Sequence, residues 1–71
     1  MELFKVIVEG HHASAYESSI WILSVRFDPD TEEVFSVDPL GDSDWIGDAS
    51  TPEEADAVAR DYFIGYEIYE G

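Results

Sequence analysis

The 71-residue sequence contains no cysteine and only three basic residues, Lys5, Arg26 and Arg60. Without cysteine the chain has neither disulfide bonds nor thiolate ligands for a structural zinc ion. Its two histidines, His11 and His12, are too few to supply the four ligands of such a site. The sequence therefore predicts a fold that is stabilised by packing alone, without a cofactor.

The sequence also lacks the long apolar stretches of membrane proteins and secretory leaders. No segment approaches the run of about 18 apolar residues that a transmembrane helix needs. The first residues, MELFKVIVEG, have no basic region ahead of an apolar core and so do not resemble a signal peptide. These absences predict a cytoplasmic protein, and the length of the chain predicts a single domain, residues 1–71.

Acidic residues are the most prominent feature of the composition. Seventeen Asp and Glu residues give the chain a formal net charge of −14 at pH 7. Such a charge repels nucleic acids and anionic membranes, so the expected partners are basic proteins or cations. Adaptation to high salt is an alternative explanation, because the surfaces of halophilic proteins are acidic whatever those proteins do.

The hydrophobic residues are numerous enough, at 45% of the chain, to exclude a disordered acidic tail. Alternation of apolar and polar residues predicts strands over 2–9, 20–27 and 33–37, with a brief fourth strand at 45–46. The segment DPDTEE after the second strand has turn chemistry, because Asp28 can accept a hydrogen bond from the backbone two residues on. GHHASAYESS, between the first two strands, is expected to be a loop or a short irregular helix.

One helix is predicted after Thr51, which begins a T-x-x-E capping box completed by Glu54 and has Pro52 at the first helical position. Gly65 ends the helical pattern, and residues 66–70 are expected to return as an edge strand. The predicted fold class is α+β: an antiparallel β-sheet of three to five strands with one helix, in the C-terminal half, packed on one face. The expected core consists of apolar residues from both layers: Phe4, Val6, Val8, Trp21, Leu23, Val25, Phe27, Phe35, Val58, Tyr62 and Phe63.

The segment DSDWIGDASTPE, residues 42–53, has the spacing of an EF-hand calcium loop. Asp42, Asp44, Ser50 and Glu53 fall at positions 1, 3, 9 and 12 of such a loop, with glycine at position 6. Ile46, however, occupies position 5, where the loop needs an oxygen ligand. An acidic turn ahead of a capped helix explains the same residues without a metal, and this interpretation is preferred.

Catalytic motifs are not evident in the sequence. Ser18 and Ser19 lack the glycines of a nucleophile elbow, and the adjacent histidines are expected in a solvated loop. Pairs of carboxylates carry little information in so acidic a chain. The sequence therefore predicts a protein that is not an enzyme.

An uninterrupted acidic run is the most informative feature of the sequence, because no Lys or Arg occurs in residues 28–59. Ordinary soluble surfaces mix both signs of charge. Carboxylates two residues apart on one face of a strand are spaced by about 6.6 Å, which is similar to the spacing of phosphates along a nucleic-acid strand. The residues expected to contact a basic partner are ten: Glu17, Ser18, Asp28, Asp30, Glu32, Glu33, Asp42, Asp44, Trp45 and Asp48.

Residues 16–23, YESSIWIL, resemble the Glu-Ser-Ile edge strand of phage uracil-DNA glycosylase inhibitors, which are small acidic proteins that copy DNA. In that family the strand enters the DNA-binding cleft of the enzyme. The resemblance implies that Glu17 and Ser18 enter such a cleft, with Ile20 behind them. This chain differs in having an additional Ser19.

Residues 37–62, VDPLGDSDWIGDASTPEEADAVARDY, are similar to the end of HicB-like antitoxin domains. In those domains a Pro-Asp-Leu-Pro-Gly turn precedes a short strand and a Glu-Glu-Ala helix. This resemblance implies an antitoxin that neutralises a basic toxin ribonuclease. Together the charge and the two resemblances predict a non-enzymatic inhibitor that binds the nucleic-acid site of a DNA- or RNA-processing enzyme, with Trp45 as an exposed apolar anchor.

Overall fold

The computed structural model describes residues 1–11 and 18–69. It contains five strands and one helix in these residues, which confirms the predicted α+β class. In chain order the elements are β1 (Glu2–His11), β2 (Ser18–Asp28), β3 (Glu33–Val37), β4 (Ser43–Asp48), α1 (Pro52–Tyr62) and β5 (Glu67–Tyr69).

The five strands form one antiparallel sheet in the order β4-β3-β2-β1-β5. Strands β1 and β2 pair from Glu2 opposite Arg26 to His11 opposite Ser18, with a register shift between Glu2 and Phe4. Both strands are longer than predicted, and they take in the ends of the segment that was expected to be a loop. The rest of that prediction, for residues 12–17, lies outside the described residues.

Helix α1 begins as the sequence predicts. The Thr51 hydroxyl accepts a hydrogen bond of 3.1 Å from the backbone N–H of Glu54, and Pro52 occupies the first helical position. After the helix the chain turns at Gly65, whose φ of 89° suits glycine. No helix in residues 1–11 or 18–69 is long and apolar enough to cross a membrane.

The core lies between α1 and one face of the sheet, which we call the helix face. Apolar residues from four strands, the helix and the segments flanking the helix are buried there: Phe4, Val6, Val25, Phe27, Val34, Ile46, Ala49, Ala55, Ala59 and Phe63. Val8 and Leu23, two further predicted core residues, are partly buried against this cluster.

Four predicted core residues are not in this cluster: Trp21 and Val58 are half-buried, and Phe35 and Tyr62 lie elsewhere. Phe35 points away from the helix face because β3 is paired so that Val34 and Ser36, its neighbours along the strand, face the helix. Tyr62 is 57% exposed at the last turn of α1, while Phe63 beside it is buried. At the end of the apolar stripe of the helix, Phe63 therefore contributes to the core and Tyr62 does not.

Gly47, next to a β-bulge in β4, lets the helix approach the sheet closely. The pairing register shifts between Val34 and Phe35, so that Gly47 and Trp45 face these residues and Ile46 is the extra residue. A Cβ atom at position 47 would lie only 2.5 Å from Cγ1 of Val58 on α1. Glycine at this position therefore sets the distance between β4 and the helix.

Candidate functional site

The second face of the sheet, which we call the open face, carries a row of three carboxylates. Asp28 of β2 is paired with Glu33 of β3, which in turn is paired with Asp48 of β4. Directly opposite residues of antiparallel strands have Cα atoms about 5 Å apart. The acid row, as we call these three residues, thus presents three negative charges side by side across adjacent strands.

A second row, next to the acid row on the same face, is formed by Arg26, Phe35 and Trp45. Trp45 is 56% exposed, and its indole Nε1 donates a hydrogen bond of 3.1 Å to Oδ1 of Asp48. Residues 45 and 48 share the open face because the bulge adds one residue between them. The structure thus places the predicted anchor, Trp45, directly beside the acid row.

Asp28 also holds the turn between β2 and β3. Its Oδ1 accepts hydrogen bonds from the backbone N–H groups of Asp30 at 2.9 Å and Thr31 at 3.4 Å, which confirms the predicted turn chemistry. Glu32 has a positive φ of 58°, and its carbonyl accepts a hydrogen bond of 2.9 Å from Ala49. This bond ties the turn to the end of β4 and so keeps Asp28 and Asp48 in fixed relation.

The carboxylates near the helix N-terminus extend the negative surface around this end of the molecule. Glu32, Asp48 and Glu54 line a shallow recess of about 330 Å³ between the β2–β3 turn and α1. Asp30 is exposed at the same turn, and Glu53 is exposed in the first turn of α1. No basic residue interrupts the chain in this region.

The remaining predicted contact residues are not part of this site. Asp44 lies opposite Ser36, which is three residues or about 10 Å along β3 from Glu33 and belongs to the other face, and Asp42 lies farther on, before the start of β4. Ser18 begins β2, ten residues before Asp28. Glu17 lies outside the described residues. The carboxylates therefore form two separate groups. The acid row runs across three strands, whereas the sequence predicted carboxylates spaced along one strand.

The second acidic group surrounds a tight turn. Oδ1 of Asp38 accepts hydrogen bonds from the backbone N–H groups of Leu40 at 2.9 Å and Asp42 at 3.0 Å. Gly41 in this turn has a positive φ of 91°. Asp38 is thus a turn-forming residue, as Asp28 is, but no carboxylate row accompanies it.

The calcium-loop interpretation requires residues 42–53 to wrap around an ion. Residues 43–48 instead form strand β4, so that Asp42 and Asp44 lie at its start while Ser50 and Glu53 follow its end. The four candidate ligands are therefore not brought together. Among residues 1–11 and 18–69 no group of three or more His, Asp and Glu side chains is arranged to hold a metal ion.

Comparison with protein-family models, curated proteins and solved structures finds no match to this chain. The resemblances of residues 16–23 and 37–62 to inhibitor and antitoxin families therefore stay predictions.

The part of the site that the sequence does not reveal is Phe35, which was expected in the core. A signal for it exists: Glu33, Phe35 and Val37 alternate along β3 and so must share one face. Once Asp28 is paired with Glu33, this face is the one that carries the acid row. Which face of the sheet carries Phe35 therefore depends on the register between β2 and β3.

Proposed function

We propose that the protein is a non-enzymatic inhibitor that occupies the nucleic-acid site of a DNA- or RNA-processing enzyme in the cytoplasm. The observation that supports it best is the acid row, Asp28, Glu33 and Asp48, with Trp45 beside it. Three carboxylates across adjacent strands present a compact negative surface with an aromatic contact at its edge. Basic clefts that bind phosphates offer the complementary charge.

In this mechanism the carboxylates take the place of phosphates. Lys and Arg residues of the target would approach the acid row, steered over long range by the net charge of −14. The half-exposed indole of Trp45 would be covered on contact and would act as a hot spot. Its hydrogen bond to Asp48 fixes the ring beforehand, so that less side-chain entropy is lost on binding.

The resemblance to uracil-DNA glycosylase inhibitors favours a phage protein that counteracts a host defence enzyme. Glycosylases, restriction enzymes and CRISPR effectors share the basic cleft that this mechanism needs. The resemblance to HicB-like domains favours a toxin ribonuclease instead, which belongs to the same class of partner.

The test is affinity capture from a bacterial lysate at low salt, followed by elution with duplex DNA or RNA. We expect nucleic-acid enzymes to be captured and then displaced by nucleic acid. The variant Glu33→Gln with Asp48→Asn should lose the capture. The matched control, Asp42→Asn with Asp44→Asn, also removes two negative charges, but at the other end of β3. This variant should still capture the enzymes.

Two results would contradict the proposal. Captured proteins that nucleic acid fails to displace would show that the contact is not at a nucleic-acid site. Equal loss of capture in both double variants would show that net charge, and not the acid row, determines binding.

A further inference from the structure

The open face carries a positive charge next to the acid row. Arg26 of β2 is exposed, and it lies two residues before Asp28 on the same face of the strand, about 6.6 Å along it. Glu33 is its diagonal neighbour on β3, and such neighbours are about 7–8 Å apart. Glu2 lies directly opposite Arg26 on β1. The negative surface of this face is therefore interrupted at one position.

The neighbouring carboxylates do not hold the guanidinium of Arg26. No carboxylate of residues 1–8 or 20–69 lies within 4 Å of it, whereas Arg60 on α1 lies 2.7 Å from Asp56. Ion pairs between exposed side chains contribute only about 0–1 kcal/mol, so little stability is lost by leaving this arginine unpaired. Arg26 is thus available for a carboxylate of another molecule.

Arg26 also lines a recess of about 300 Å³ on the open face. The other residues of this face that line it are Asp28, Phe35, Val37 and Ser43. Apolar walls keep water away from an ion pair and so strengthen the attraction between its charges. A planar guanidinium can also bind both oxygens of one carboxylate. The recess therefore suits a carboxylate side chain of a partner protein.

The chemistry of nucleic-acid enzymes indicates which carboxylates could enter the recess. Many nucleases and polymerases hold divalent metal ions beside the reacting phosphate. Mg²⁺ at such sites is bound by one or two carboxylates of the enzyme together with oxygens of the phosphates. A cleft of this kind is therefore not uniformly basic. A protein that copied the phosphates alone would be repelled by the carboxylates that bind the metal.

We propose that Arg26 takes the place of a catalytic metal ion, and that the partner is a metal-dependent nuclease or polymerase. This assignment rests on the proposed function and narrows the class of enzyme. The acid row faces the Lys and Arg residues that bind phosphates, while the guanidinium of Arg26 pairs with the metal-binding carboxylates. Positive charge thus lies beside the phosphate mimics, as the metal ion lies beside the phosphates.

The direction of the effect of Arg26→Gln distinguishes this pairing from the effect of net charge. The substitution changes the net charge from −14 to −15, which strengthens long-range attraction to a basic cleft. We nevertheless expect at least about tenfold weaker binding, because the carboxylates of the enzyme lose their partner. Arg26→Lys keeps the charge without the planar fork and should retain part of the affinity.

Lys5→Gln is the matched control. It removes the same charge from the same face, where Lys5 lies opposite Ser24, but Lys5 does not line the recess. Its binding should not weaken. The affinities are measured by surface plasmon resonance with an enzyme that was captured from the lysate and displaced by nucleic acid. Circular dichroism checks that each variant is folded.

Magnesium provides a test that needs no substitution. Because Mg²⁺ and Arg26 compete for the same carboxylates, Mg²⁺ at ten times its own Kd for the enzyme should weaken binding of the wild type by about tenfold. The reference is NaCl at equal ionic strength, which screens charge without occupying the metal site. Arg26→Gln leaves the metal site free, so Mg²⁺ should not weaken its binding beyond the effect of NaCl.

Three results would overturn the inference while the proposed function stands, provided that nucleic acid displaces the enzyme. They are Arg26→Gln binding as tightly as the wild type, equal weakening by Arg26→Gln and Lys5→Gln, and no effect of Mg²⁺ on the wild type beyond that of NaCl. Failure of nucleic acid to displace the enzyme would instead contradict the proposed function, and this inference with it.

Discussion

The two faces of the sheet carry similar apolar residues in different environments. On the helix face, Val6, Val25 and Val34 are fully buried. On the open face, Ile20, Ile22 and Trp45 have between 44% and 69% of their surface exposed. Apolar burial stabilises a fold by about 25 cal/mol per Å² removed from water. The helix face thus stabilises the fold, whereas the side chains of the open face remain available for contacts with other molecules.

Removing one phenylalanine from each face tests the difference between the two faces most directly. Phe27→Ala should cost about 3–5 kcal/mol, because Phe27 is 1% exposed in the core. Such a loss approaches the whole stability of a small domain. Phe35→Ala on the open face should cost less, because Phe35 is only half-buried. Urea denaturation of both variants checks this, and equal losses would mean that the faces are not distinct.

Gly47 tests how closely the helix face is packed. The methyl group of Gly47→Ala would lie 2.5 Å from Cγ1 of Val58, and such overpacking costs about 1–3 kcal/mol. We expect this cost to vanish when it is measured in a Val58→Ala background. Thermal denaturation of the wild type, the two single variants and the double variant measures this dependence. A cost that persists without the Val58 side chain would assign it to the β4 backbone instead.

The helix cap should have a smaller effect. Thr51→Ala removes the acceptor of the Glu54 N–H and should lower the free energy of unfolding by about 1 kcal/mol. Ser50→Ala, one residue earlier and exposed, should change it by less than about 0.5 kcal/mol. Chemical denaturation distinguishes the two variants. Equal effects would mean that the hydroxyl of Thr51 does not stabilise the helix.

Trp45→Ala should have the smallest effect on stability, within about 0.5 kcal/mol, because the ring is more than half exposed. The substitution should instead weaken binding to the partner enzyme. In surface plasmon resonance with a captured enzyme, the variant should dissociate faster while associating at nearly the same rate. A variant that is destabilised but binds normally would place Trp45 among the packing residues instead.

The elements of the fold were largely predictable because they depend on local signals. Period-two alternation located β1 and β2, and Thr51 with Pro52 located the start of α1. The predicted strand over 33–37 coincides with β3. The face of each residue on that strand was not predictable, since Phe35 and Val37 are together more apolar than Val34 and Ser36. Pairing of Phe27 with Val34 decides it.

The acid row could be predicted only as individual residues. Asp28 and Glu33 are separated by one turn and Asp48 comes from a later strand, and they meet because of strand register, which a one-residue slip would change. Trp45 and Asp48 are three residues apart and would lie on opposite faces of a regular strand. The bulge that brings them together has no signal in the sequence other than Gly47.

The central claim is that the open face at the acid row is the surface that binds a basic enzyme. The direct measurement is a ¹⁵N nuclear magnetic resonance titration of this protein with an enzyme captured from the lysate. The backbone signals of Glu33, Phe35 and Asp48 and the indole N–H of Trp45 should shift or broaden, while those of Ala55 and Ala59 on α1 stay unchanged. Changes confined to Asp42 and Asp44, or to the helix, would contradict the account.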